Sequence, residues 1–263
     1  MNLDVFGIPL ICLQVAVLVY VIVRGVRLLS AGGASMVAVF FLFAAISMLL
    51  SDLYWITYDL LRLEIRMPFA ANEIAEAALF LLLASMLNVA IRPAPGDALR
   101  EMILTALFAA ASTALWIAWT GEWADDLLAG LTFGYLLCCI ARAIRLTGAF
   151  SRAEWIGLGA GAAALILLQA TIFFVPAALG KILDLCCYVL MFLGVGFIFT
   201  KAVRSARAGA DSRKQLSLTA CCYGLAVSAM FMSEGVCYLV LSVFTTLSYV
   251  LMMNAVQKEV AQA

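Results

Sequence analysis

Of 263 residues, 66% are apolar and only 12% are charged, about half the charged share of a soluble globular domain. The 16 basic and 16 acidic groups balance, so the total charge gives no attraction to nucleic acid, and no soluble domain fits beside so much apolar sequence. A hydrocarbon core of about 30 Å takes roughly 20 apolar residues in a helix, so the chain is expected to be all-α and polytopic, with seven to nine crossings.

The first apolar run, Val5 to Val23, follows Met1-Asn2-Leu3-Asp4. That start has no basic stretch of the kind that opens a signal peptide, so the run is expected to be a retained first helix, near 5–28. Further helices are predicted near 36–60, 69–91, 99–119, 124–146, 153–175 and 180–203. The tract Leu216 to Val256 is too long for one span, and Ser233-Glu234-Gly235 divides it in two, which brings the count to about nine. Residues 1–256 then form a single transmembrane domain and 257–263 a cytoplasmic tail.

Arg24/Arg27, Arg92/Arg100, Arg142/Arg145/Arg152, Lys201 to Lys214 and Lys258 all fall in alternate loops. Cytoplasmic loops collect Lys and Arg, so the pattern predicts a multi-pass protein of the inner or plasma membrane, N-terminus out and C-terminus in. The acidic residues gather mostly at the opposite face, together with Tyr54, Trp55, Tyr58, Trp116, Trp119 and Trp123. Trp119 and Trp123 fit an interfacial aromatic belt. Pro68, Ile74, Glu76 and Phe80 recur in kind, at a constant offset, as Pro176, Ile182, Asp184 and Tyr188. Such an echo could mark two four-helix halves, but shared Ala/Leu-rich composition accounts for so short a match.

The densest polar constellation is Ser51-Asp52-Leu53-Tyr54-Trp55-Ile56-Thr57-Tyr58-Asp59, followed by Arg62 and Arg66. On a helix, Asp52, Trp55, Asp59, Arg62 and Arg66 fall in one stripe. Glu73, Glu76 and Phe80 form a second stripe after Pro68, where carboxylates also suit a helix start. Asp52 is expected roughly 12 Å inside the outer end of its helix, where an unpaired carboxylate costs several kcal/mol. It therefore needs a partner or a proton. One reading gives it a neighbouring Tyr, Ser or Thr and pairs Asp59 with Arg62 or Arg66. The other is an outward-facing pocket for a cationic or polar small molecule, lined by Asp52, Trp55, Tyr58, Asp59, Arg62, Glu73 and Glu76, with Trp55 offering an aromatic face to a cation. Gln14, Asn88 and Gln169, inside apolar runs, are expected to make interhelical hydrogen bonds.

Catalytic chemistry finds little to work with. Histidine is absent, which removes the commonest metal ligand and proton shuttle. The eight cysteines include three vicinal pairs within apolar runs and no C-x-x-C, so no metal site, disulfide or other cofactor is expected. No P-loop and no Gly-x-Ser-x-Gly elbow occurs. Neither Lys181 nor Lys201 lies in mid-membrane, which argues against a retinal Schiff base. An enzyme is the least supported class.

The chain closes on Met252-Met253-Asn254-Ala255-Val256-Gln257-Lys258-Glu259-Val260-Ala261-Gln262-Ala263, a charged, helix-favouring continuation of the last span. In this stretch and its general layout the chain resembles the membrane-embedded sensor region of polytopic bacterial sensor histidine kinases. The phospho-accepting histidine and ATP-binding region of that family have no counterpart here, so no catalytic residue carries over. The resemblance implies a membrane sensor that signals through its C-terminal helix to a cytoplasmic partner or within a homo-oligomer, with membrane lipids around it. The alternatives are a secondary transporter of a small cationic or polar solute, with Asp52 as its coupling carboxylate, and a structural or assembly protein of the membrane.

Overall fold

The computed structural model describes residues 4–32, 35–61, 71–92, 98–120, 123–172 and 174–262. Among these the chain forms nine α-helices and no strand: α1 (Asp4–Ser30), α2 (Met36–Leu61), α3 (Ala71–Ala90), α4 (Ala98–Thr120), α5 (Trp123–Leu146), α6 (Arg152–Ile172), α7 (Ala177–Arg207), α8 (Ser212–Phe231) and α9 (Gly235–Gln262). Every predicted helix is present, and the predicted break at Ser233-Glu234-Gly235 separates α8 from α9. Gly235 adopts φ 61° there, a left-handed conformation that residues with a Cβ rarely adopt.

Eight of the nine are long and apolar enough to cross a membrane. The exception is α8, which opens on Ser212-Arg213-Lys214-Gln215 and carries Ser217 and Thr219. Its polarity follows from its position. The run from Gln215 to Gly224 is buried almost without interruption, and α8 packs on α9, α7, α5 and α3. A helix surrounded by protein does not need an apolar surface for lipid. By contrast α6, which packs mainly on α7, has no buried residue, and α4 packs mainly on α5. The two halves suggested by the sequence echo are therefore not packed alike, because peripheral α4 would correspond to central α8.

An aromatic knot joins four helices. Phe80 of α3 lies 5.0 Å from Phe133 of α5, and Trp116 of α4 stacks at 3.7 Å on Phe231 of α8. Trp116 is 7% exposed, so it belongs to the core and not to the aromatic rim where its sequence neighbours placed it.

Polar contacts collect at one end of the bundle. Arg24, near the end of α1, donates to Asn254 and Gln257 of α9. Lys258 donates to Gln215 of α8 and to the Ala206 carbonyl of α7, and Ser212 donates to Glu259. Thr147 after α5 meets Ser217 of α8 at 3.0 Å, Lys201 of α7 pairs with Glu154 of α6, and Glu101 of α4 pairs with Arg142 and Arg145 of α5. These bonds bring the basic residues of alternate connections to a common pole. They also hold Gln257, Lys258 and Glu259, the start of the expected tail, within continuous α9.

The pairing of α4 with α5 depends on two glycines one turn apart. A Cβ at Gly134 would lie 2.5 Å from both Ala109 Cα and the Phe108 carbonyl oxygen, and one at Gly130 would lie 2.6 Å from Thr113 Cα. Backbone cannot yield as a flexible side chain does, so the helices approach closely because these positions have no side chain. Gly134→Val is expected to destabilise the protein by about 1–3 kcal/mol. Gly157→Ala, where nothing lies within 4 Å, should leave thermal unfolding in detergent nearly unchanged.

Candidate functional site: a buried carboxylate network

Asp52 is 6% exposed and sits nine residues before the end of α2, about 14 Å along the helix. Gln14 and Thr246 stand ten and eleven residues after the starts of α1 and α9, a similar depth from the same end of the bundle. The three side chains meet. Gln14 Nε2 donates to Asp52 Oδ1 at 3.2 Å, and Thr246 Oγ1 donates to Gln14 Oε1 at 3.0 Å while sharing its proton with the Ser242 carbonyl. A single amide thus uses both of its ends to join α2 to α9. The partner of Asp52 is an amide of α1, where the sequence pointed to a neighbouring Tyr, Ser or Thr.

Next to this relay, Ser51 Oγ donates to Glu76 Oε1 of α3 at 2.9 Å. Glu76 and Asp52 lie within electrostatic reach of one another, and both act on Tyr223 of α8 and on Tyr238 and Tyr249 of α9. Tyr249 is fully buried and meets the Tyr223 ring edge to face at 5.4 Å. Of these groups Asp52, Tyr223 and Tyr249 are buried, Glu76 is half-buried and Tyr238 is exposed. Asp52 Oδ2 accepts no hydrogen bond among the described residues. A buried acceptor in that state has lost water without gaining a donor.

The other predicted site residues divide. Glu73 is 6% exposed and its neighbour Asn72 is 1% exposed, while Ala71 and Ile74 on either side are exposed, so Glu73 itself is buried and not a solvated helix-start carboxylate. Tyr54, Trp55 and Tyr58 form an aromatic cluster of their own, with ring centroids 5.9–6.2 Å apart. Arg62 and Arg66, and the side chain of Asp59, lie outside the described residues, as does the expected pairing among them. Of the predicted interhelical amides, Asn88 donates to Tyr135 of α5 at 2.8 Å and accepts from Arg142.

Gln14 and Thr246 were missed as site residues. The available signal was depth: two polar residues in apolar helices, at the level of a carboxylate that needed a donor. Comparison with protein-family models, with curated proteins and with solved structures gave no match, so the site is read from its own geometry. Fold and site together define a polytopic α-helical membrane protein with an interhelical carboxylate network in its interior.

Gln14→Leu is expected to cost about 1–3 kcal/mol, because it leaves Asp52 Oδ1 without its donor, while Thr246 keeps the Ser242 carbonyl. Adding Asp52→Leu should cost less than the sum of the two single changes, since both ends of the bond are then gone. Thermal unfolding of the two single variants and the double variant measures the coupling.

Proposed function

We propose that the chain is a membrane-embedded receptor for a small cationic solute, with Asp52 and Glu76 as its anionic centre. The observation that carries this reading is the Gln14 amide held between Asp52 and Thr246. The buried Asp52 and the half-buried Glu76 repel one another, and a bound ammonium group would relieve that repulsion and give Asp52 Oδ2 its missing donor. Intramembrane ionisable groups are expensive to keep, which favours a functional role for them.

Binding at Asp52 competes for, or reorients, the Gln14 amide. Gln14 in turn holds α9 through Thr246, and α9 runs without a break from there to Gln257, Lys258 and Glu259 at the other end. A ligand that favours one arrangement of the relay biases the docking of the C-terminal end of α9 by its differential affinity for the two states. With the arginine-rich pole in the cytoplasm of the inner or plasma membrane, as the charge bias of the loops favours, that end faces a cytoplasmic partner.

The test is thermal stabilisation of the purified protein by a panel of amines, amino acids and inorganic cations, wild type beside Asp52→Asn. A stabilising amine is expected to raise the melting temperature of the wild type only. The same amine should change hydrogen exchange over residues 255–262. Equal stabilisation of Asp52→Asn, or no stabilisation by any cation, counts against the receptor. The closeness of Asp52 and Glu76 also supports a second reading, a proton-coupled transporter in which the two acids exchange a proton during alternating access. Amine uptake into proteoliposomes that collapses when the proton gradient is dissipated would select that reading.

A further inference from the structure

At the opposite pole the structure contains a cavity of about 320 Å³ between the start of α4, the end of α5 and the start of α6, and its polar lining is Arg100, Glu101, Arg142 and Arg145. Three guanidinium groups face one carboxylate there. Arg142 is fixed in place, because one nitrogen donates to Glu101 Oε2 at 3.1 Å and the other to Asn88. Arg145 reaches Glu101 at 3.5 Å, but its side chain remains 45% exposed, and Arg100 is exposed as well. Glu101 thus sets one carboxylate against the two guanidinium groups of Arg142 and Arg145.

The rest of the cavity is apolar. Leu104 and Phe108 form one wall and Trp155 stands at the other side. Outside it, α4 carries Met102, Ile103 and Leu107 at 63%, 50% and 60% exposure, and α6 carries Ile156 at 63%. These surfaces suit acyl chains. A free anion would use the arginines and leave the apolar walls unused, whereas an anionic phospholipid uses both. Arginine presents a planar fork that matches phosphate oxygens, and a tryptophan at the rim suits the headgroup level. Basic recesses between transmembrane helices are the usual form of a phospholipid headgroup site.

We propose that this cavity holds the phosphodiester of an anionic phospholipid, bound by Arg100 and Arg145 against the fixed Arg142, with its acyl chains along α4 and α6. The site is separate from the carboxylate network and does not depend on the receptor reading.

The experiment uses the full chain in nanodiscs of phosphatidylcholine with or without phosphatidylglycerol, followed by native mass spectrometry of retained lipid. The wild type is expected to retain phosphatidylglycerol in preference to phosphatidylcholine. Arg100→Gln/Arg145→Gln, which leaves the Arg142–Glu101–Asn88 contacts in place, should bind phosphatidylglycerol about tenfold more weakly. Arg204→Gln/Arg207→Gln, at the end of α7, should bind it as the wild type does. Absence of any preference in the wild type, or equal loss in both double variants, would overturn the proposal. So would stabilisation by inorganic phosphate in lipid-free detergent that matches the stabilisation by phosphatidylglycerol, which would assign the cavity to a soluble anion.

Discussion

Hydrocarbon offers no hydrogen bonds, and the arrangement of this protein follows from where its polar side chains find them. A carboxylate at the depth of Asp52 cannot face lipid, so α2 must turn it inward, and the nearest available donor is an amide on α1. That amide still has an oxygen to satisfy, and Thr246 of α9 supplies the proton. The neighbourhood of α1, α2 and α9 is thus specified by one bond on each side of Gln14. Apolar packing alone specifies less, because lipid tails solvate leucine as well as a neighbouring helix does.

The same constraint sorts the helices by composition. The most polar of them, α8, is also the one most surrounded by protein, and its Ser217, Thr219 and Ser228 return their hydroxyls to backbone carbonyls about one turn earlier, at Lys214, Gln215 and Gly224. The outlying α6 is apolar along its middle, from Trp155 to Leu168, and none of its residues is buried. Between these extremes the α4/α5 pair is held by shape, with Gly130 and Gly134 letting backbone meet backbone.

Helix number and limits were legible because each apolar run matches the bilayer in length and each break carries charge, glycine or proline. Even the division of the long final tract could be read from Ser233-Glu234-Gly235. The need of Asp52 for a partner was also legible, since depth alone sets the cost of an unpaired carboxylate. The identity of the partner was not. Gln14 is distant in sequence from both Asp52 and Thr246, and which helices become neighbours is decided by the packing of the whole bundle and not by any local pattern. For the same reason Glu73 read as a solvated helix start: it is buried between exposed Ala71 and Ile74, a difference that tertiary packing makes and local sequence does not encode.

That α1 and α9, far apart in sequence, share a hydrogen-bonded core has a consequence for how the protein is made. Helices leave the ribosome in order, so the oxygen of the Gln14 amide waits for its α9 donor until α2 to α8 have been made. During that interval α1 and α2 can associate through Asp52, but their outer side stays open to lipid with an acceptor exposed. The relay from α2 through α1 therefore closes only when α9 arrives. A chain that stalls before α9 displays a polar group within the membrane, a feature by which quality-control proteases could recognise it.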